Sequence, residues 1–116
     1  MMKKKGSITK NYEYQQVFQN GTSVATRTFV LYQLNTKQSE NRAGFIVSKK
    51  VGNAVTRNRV RRLMRESYRL YAGKLRRGYD LVFIARPAAA KISFMQAAAD
   101  MERVLQRGGL FSVADN

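Results

Sequence analysis

The chain has 116 residues, a length that fits one compact domain but not two independent ones. Its 22 Lys and Arg against 7 Asp and Glu give a formal charge of +15, and such self-repulsion favours a polyanionic partner, above all nucleic acid. The longest uninterrupted apolar run, Leu81 to Ala85, is far shorter than the roughly 20 residues of a membrane-spanning helix or the roughly 7 of a signal-peptide apolar region.

The sequence has no cysteine and shows no secretory signal, so we expect a cytoplasmic protein that does not enter a membrane. We predict a single RNA-binding domain over residues 1–116, because no interdomain linker or internal repeat interrupts it. Residues 1–8 are predicted to form a basic flexible tail, and residues 110–116 a second flexible tail.

The first half of the chain predicts one helix and two strands. Apolar and aromatic residues recur at helical spacing from Tyr14 to Phe18, ahead of Gly21, a residue type that often ends helices. Two segments rich in β-branched and aromatic residues follow at 27–34 and 43–48, with a polar loop between them. We expect these two strands to form a hairpin.

The second half predicts a helix, a strand and a helix. Residues 56–71 have the 3.6-residue period of an amphipathic helix. One side of this helix is an apolar stripe, and the other side is almost purely cationic. Residues 79–85 are a buried strand, and Ser93 with Gln96 forms a capping box that opens a third helix, which continues to Gly108. The order α-β-β-α-β-α predicts an α+β domain in which helices pack on a mixed sheet.

Little in the sequence suits catalysis by the protein itself. Cleavage of nucleic acid needs a general base, a nucleophile or carboxylates that hold metal ions, whereas this chain has no His and no Cys and its acids are scattered. Asp100 and Glu102 are the closest pair of acids, but at i, i+2 on a helix they point roughly 200° apart. The sequence therefore disfavours an active site built from protein side chains.

The segment 47–69 carries eight Lys and Arg against one acid, Glu66. Arg presents a planar, permanently charged fork that matches phosphate oxygens, and an ordinary solvated face would alternate in sign. Gly52-Asn53 predicts a tight turn into the helix, whose first N–H groups add a phosphate site. Asn58 is a poor helix former with no packing reason in the sequence, which suits a hydrogen-bonding role, and turn-like capping is the alternative.

Three aromatic residues are candidates for stacking on unpaired bases. Tyr14, Phe18 and Tyr32 lie in the predicted first helix and first strand, and single-strand binders use such side chains as base platforms. The alternative is that they fill the core. Beside Val17, Phe18 favours the core on composition alone, whereas both roles stay open for Tyr14 and Tyr32, whose tips are polar.

Four motifs follow one another along the chain, NYEYQQVFQNG, GTSVATRTFVLY, GFIVSKKVGNAVTRNRVRRLMRE and YDLVFIARPAA. In order and spacing they resemble those of the protein subunit of bacterial ribonuclease P, the ribonucleoprotein that removes the 5′ leader of precursor tRNA. The resemblance covers nearly the whole chain, and Arg57-Asn58-Arg59 preceded by SKKVGNAV is its most diagnostic part.

The resemblance implies a small α+β fold in which the arginine-rich helix forms a left-handed crossover between parallel strands, against the general right-handed rule. It also implies that ribonuclease P RNA performs the hydrolysis with bound Mg²⁺, and that the protein binds no cofactor tightly. The implied partners are that RNA and precursor tRNA, with no protein partner required. The protein then contributes binding energy by neutralising phosphates and holding the leader.

The resemblance assigns residues to two surfaces. Tyr14 stands where relatives often carry Phe, which predicts retained stacking with a different leader preference. The RNA-docking residues implied are Lys49, Lys50, Arg57, Asn58, Arg59, Arg61, Arg62 and Arg65, and the leader cleft between the first helix and the sheet implies Tyr14, Phe18 and Tyr32.

Three other functions compete with this interpretation. A non-catalytic RNA-binding or ribosomal protein shares the composition but does not explain SKKVGNAVTRNR. A DNA-binding regulator using residues 56–71 as a recognition helix needs a helix before it, where the sequence predicts the strand AGFIVS. A metal-dependent nuclease acting alone would depend on Asp100 or Glu102.

Overall fold

The computed structural model describes residues 6–112, which form a mixed sheet with helices on both faces. The main elements in chain order are α1 (Asn11–Asn20), β1 (Thr22–Ala25), β2 (Phe29–Asn35), β3 (Arg42–Ile46), α2 (Ala54–Tyr71), β4 (Tyr79–Ala85) and α3 (Phe94–Arg107). Short 3₁₀ turns follow α2 and β4. The strands lie in the order β1-β2-β4-β3, and only β3 and β4 are parallel neighbours. Within residues 6–112, no helix is long and apolar enough to cross a membrane.

The predicted α+β class is confirmed, whereas the predicted hairpin is wrong. The two strands expected to pair are β2 and β3, and β4 lies between them. Leu81, Val82 and Phe83 of β4 are all fully buried, so this strand is apolar on both faces and gains most from a central position. The hairpin partner of β2 is β1, which the sequence did not reveal because TSVA is short and mostly exposed.

Helices α2 and α3 cover one face of the sheet and α1 covers part of the other. Because α2 connects the parallel strands β3 and β4, it is the crossover helix of the fold. The left-handed sense implied by the family resemblance stays a prediction. The main core joins both helices to the sheet through fully buried residues, among them Phe29, Leu31, Met64, Phe83, Met101 and Leu105.

The inner ends of both predicted tails pack onto the domain. Ile8 is buried, and its N–H donates to the carbonyl of Ala43 in β3 at 3.1 Å. Leu110 is also buried, and Phe111 forms an antiparallel bridge with Leu75. The remainder of the tail prediction falls on 1–5 and 113–116, outside the described residues.

An ion-pair network attaches α1 to the sheet. Arg42 of β3 lies between Asp80 of β4 and Glu13 of α1, with Nη2–Oδ2 and Nη1–Oε2 distances of 2.6 Å each. A second bond to Asp80, from Nε to Oδ1 at 2.9 Å, makes that pair bidentate. Both carboxylates are buried, so each depends on the guanidinium for compensation. This triad fixes where the N-terminal half of α1 crosses the sheet.

Burial opposes ionisation of Glu13, but hydrogen bonds from the Lys10 N–H, the Arg42 guanidinium and the Thr9 N–H outweigh it and hold its pKa at about 2. The ordinary value is 4.5. Because the pKa is lower in the folded state, Glu13 stabilises the fold above pH 4.5 and that contribution is lost as pH falls toward 2. The shift corresponds to about 3 kcal/mol.

We expect Arg42→Met to lower the free energy of unfolding at pH 7 by about 3–5 kcal/mol, because it removes the guanidinium that the buried carboxylates of Glu13 and Asp80 share. In urea titrations across pH 2–7, the wild-type chain should lose stability on acidification. The variant should lose less stability on acidification, since the hydrogen bond and charge of Arg42 no longer lower the pKa of Glu13.

Arg103→Met is the matched control, because Arg103 is 56% exposed and pairs with Asp100 at 2.9 Å on the surface of α3. We expect it to cost less than about 1 kcal/mol. Equal losses in the two variants would show that the triad has no special role in attaching α1.

Candidate RNA-binding surfaces

The start of α2 is built by the turn that the sequence predicted. Gly52 has φ +157°, and a Cβ there would lie 3.0 Å from Cγ2 of Thr56. Asn53 instead has φ −72° and serves as the N-cap, where its Oδ1 accepts from the N–H of Thr56 at 2.9 Å. The helix therefore begins at Ala54, two residues before the predicted start, and its first turn contains no acid.

The apolar stripe predicted for α2 is buried and the cationic side faces solvent. Val60, Leu63, Met64 and Ser67 are buried against the sheet and α3. The opposite side of the helix and the preceding turn carry the exposed residues Lys49, Lys50, Asn58, Arg62 and Arg65, with Arg57, Arg59 and Arg61 half-buried. We call these eight residues the basic surface.

Three of the arginines in the basic surface also hold local structure. Arg59 donates to the carbonyls of Ala90 at 3.3 Å and Ile92 at 2.5 Å, and so ties α2 to the turn before α3. Arg57 donates to the carbonyl of Gly52 at 2.7 Å. Arg61 donates to Oδ1 of Asn58 at 3.0 Å, an exposed contact within the helix, and the role of Asn58 in binding RNA stays a prediction.

Ion pairing does not neutralise the basic surface. Among residues 6–112, the ion pairs join Arg42 to Glu13 and Asp80 and Arg103 to Asp100. Glu66 is the one acid of α2 and is exposed. The positive potential of this face is therefore directed at solvent, as phosphate binding requires.

The three predicted aromatic residues come together on the opposite face of the sheet. Phe18 of α1 meets Tyr32 of β2 edge to face, with ring centroids 5.0 Å apart and an interplanar angle of 82°. Tyr14 joins the same cluster around the buried side chains Val17 and Val82. Tyr14, Phe18 and Tyr32 are all half-buried, so each contributes to packing while part of the residue stays exposed. We call these three residues the aromatic cluster.

Gly44 of β3 allows Tyr14 to lie on the sheet, because a Cβ at Gly44 would stand 2.4 Å from the tyrosine Oη. The Tyr14 hydroxyl donates to the carbonyl of Ile8 at 3.3 Å. Burial raises the pKa of Tyr14, while the positive charge of Arg65 acts in the opposite direction. The aromatic cluster and the basic surface thus approach each other where β3 forms the edge of the sheet.

Sequence reasoning missed the apolar residues beside this cluster. Leu34, Ile46 and Ile84 are partly exposed and pack with the three aromatic residues. Strand alternation places Ile84 on the opposite face from Phe83, but the sequence does not reveal which face a helix leaves partly open. The floor of the cluster was therefore predictable only once the position of α1 was known.

Three of the six acids within residues 6–112, Glu13, Asp80 and Asp100, hold elements of the fold together. Asp100 accepts from the hydroxyl of Thr28 at 2.7 Å and from Arg103 at 2.9 Å. Within the described range 6–112, no three His, Cys, Asp or Glu side chains come together as a metal-ion site.

Residues 2–109 match the family model for ribonuclease P. The chain is 40% identical over 111 residues to the ribonuclease P protein component of Alkaliphilus metalliredigens, covering 96% of this chain and 100% of the relative. It is 44% identical to that of Exiguobacterium sibiricum, with 95% and 96% of the two chains covered.

Solved structures agree with the sequence relatives. The Staphylococcus aureus RNase P protein superposes with a TM-score of 0.87 at 36% identity, over 94% of this chain and 100% of the other. The Thermotoga maritima RNase P protein gives a TM-score of 0.79 at 25% identity, with 87% and 96% covered. The family model, the relatives and the fold agree: the chain belongs to the ribonuclease P protein family.

Proposed function

We propose that this member of the family binds ribonuclease P RNA through the basic surface and the 5′ leader of precursor tRNA through the aromatic cluster, and so assists removal of the leader. The observation that carries the proposal is the unpaired positive charge along α2 and its preceding turn, where no ion pair joins the eight basic-surface residues to an acid within residues 6–112. The planar guanidinium groups of these arginines can donate paired hydrogen bonds to phosphate oxygens.

The two surfaces suit different parts of an RNA substrate. A folded RNA presents a dense array of phosphates, which the extended basic surface of α2 can neutralise. A single-stranded leader presents unstacked bases, which the half-buried aromatic side chains of Tyr14, Phe18 and Tyr32 suit as stacking partners. Because both surfaces reach the β3 edge, one protein can contact the catalytic RNA and the leader together.

The proposal places hydrolysis in the RNA subunit with Mg²⁺ bound mainly there. The described carboxylates support this assignment, because Glu13 and Asp80 pair with Arg42 while Asp100 binds Thr28 and Arg103. We assign the complex to the cytoplasm and require no second protein. The alternative function is a non-catalytic RNA-binding or ribosomal protein.

Reconstitution separates these functions. We expect precursor-tRNA 5′ cleavage at low Mg²⁺ when a bacterial ribonuclease P RNA and the protein are both present, and little with either alone. An unchanged RNA rate on addition of the protein would favour the general RNA-binding alternative. Cleavage by the protein alone would place the catalyst in the protein.

We expect Arg61→Gln with Arg62→Gln to weaken binding to ribonuclease P RNA and to flatten its salt dependence. Each lost phosphate contact should reduce the slope of log affinity against log salt by about 0.7–0.9. Filter binding across a salt series measures the slope. Arg103→Gln with Arg107→Gln on α3 removes the same charge and should leave the slope nearly unchanged; similar slopes in both double variants would mean that only net charge matters.

We expect Tyr32→Leu to weaken binding of precursor tRNA to the reconstituted complex by about 1–3 kcal/mol for each base that loses its stacking partner. Binding of mature tRNA, which has no leader, should not change. Tyr12→Leu is the matched control, because Tyr12 lies on α1 with its side chain 60% exposed and outside the aromatic cluster. An equal loss of affinity for mature tRNA would show that Tyr32 does not act by binding the leader.

A further inference from the structure

A groove runs along the β3 edge beneath the second half of α2. It consists of two adjoining cavities, of about 270 Å³ and about 360 Å³, which share Gly6, Tyr68 and Ala72 in their walls. The upper cavity reaches Tyr14 and Phe45, and the lower one reaches Arg77. We call this feature the edge groove. It lies outside the eight residues of the basic surface except for Arg65.

One wall of the edge groove is an incompletely paired strand. The N–H and carbonyl of Ala43 pair with Gly6 and Ile8, which cover the first part of β3. Peptide groups alternate between the two sides of a strand, so those of Phe45 face the same edge, beyond the reach of that short segment. The peptide groups of Phe45 therefore face the groove, and within residues 6–112 no backbone partner meets them on that edge.

The other wall carries cations. Arg65 and Arg69, one helical turn apart on α2, line the upper cavity, and Arg77 lines the lower one. Within residues 6–112 none of the three forms an ion pair, and Arg65 lies 6.0 Å from the ring centroid of Phe45. Glu40 is the acid lining the lower cavity, and it has an interaction partner of its own.

The chemistry of the groove fits a phosphodiester chain better than a base-stacking ligand. Tyr68 borders both cavities, and a tyrosine hydroxyl is protonated at neutral pH and can donate a hydrogen bond. Burial raises its pKa further, to about 12. Its ring packs against Phe45 and Phe83, with centroids 5.8 Å and 5.3 Å away, and is therefore already occupied. Cationic forks and a hydroxyl along a narrow path are typical of backbone contact.

We infer that the edge groove binds phosphates of the precursor leader upstream of the nucleotides held by the aromatic cluster, with Arg69 and Arg77 as contacts. The inference rests on the proposed function, since its starting point is the continuity of the groove with Tyr14. A leader that leaves the aromatic cluster beside Tyr14 enters the upper cavity, passes Arg69, and reaches Arg77. Only leaders long enough to pass Tyr14 gain from this path.

The test measures binding of precursor tRNAs with leaders of increasing length to the reconstituted complex. We expect the affinity of the wild-type complex to rise with leader length. The double variant Arg69→Gln with Arg77→Gln should bind the long leaders roughly tenfold more weakly than the wild type at low salt. It should bind the shortest leader with unchanged affinity. The salt slope for the longest leader should fall by about 1.4, for two lost single-strand contacts. Arg103→Gln with Arg107→Gln should preserve the gain.

The outcomes separate this inference from the proposed function. If wild-type affinity does not depend on leader length, leader binding itself is wrong and the inference falls with it. If the wild-type gain exists and the double variant retains it, the edge groove alone is wrong. If the variant binds ribonuclease P RNA more weakly and all leaders equally, the groove serves the RNA subunit and the inference is overturned. Unchanged thermal melting of the variant confirms that these exposed substitutions leave the fold intact.

Discussion

Burial of β4 on both faces is the constraint on which the arrangement of the molecule depends. A strand with Leu81, Val82 and Phe83 fully buried needs apolar partners above and below the sheet. Helices α2 and α3 supply one layer, and α1 with the start of the chain supplies part of the other. The basic surface and the aromatic cluster therefore form on opposite layers and can meet only around the free edge of β3.

The positions of the carboxylates help to keep the basic surface positively charged. Glu13 and Asp80 are buried beside Arg42, and Asp100 holds Thr28 and Arg103. These acids connect elements of the fold, so they are not available to neutralise α2. The resulting self-repulsion along one face is relieved when a polyanion binds, and a ligand that binds only the folded chain also raises its stability.

Features that depend on interactions between neighbouring residues were predicted correctly from the sequence. The apolar stripe of α2 is buried as its period required, and the Ser93–Gln96 capping box is present with both hydrogen bonds. The position of β4 between β2 and β3 was not predictable in this way, because pairing partners distant in sequence compete and only the complete sheet decides between them. The network of Glu13, Arg42 and Asp80 joins three elements and has no sequence signature of its own.

The same limit applies to the candidate site. The residue types of the basic surface were readable from the sequence, and the aromatic residues did converge, but their individual environments were not readable. Tyr14 was open between core and stacking, and its half-buried position on Gly44 shows that the two roles are compatible. The edge groove depends on how the segment around Ile8 ends against β3, which no periodicity encodes.

Arg57-Asn58-Arg59, the motif that most clearly identified the family, is also partly structural. Arg59 holds the carbonyls of Ala90 and Ile92 across more than thirty residues of sequence, and Arg57 holds the turn at Gly52. A guanidinium has five donors, so a residue that binds two carbonyls can still offer N–H groups to phosphate. Substitution of Arg59 therefore removes a tie between α2 and the turn before α3 together with one cation of the basic surface. Arg62 is exposed, and within residues 6–112 no ion pair ties it to an acid, so substitution there removes charge with little structural consequence.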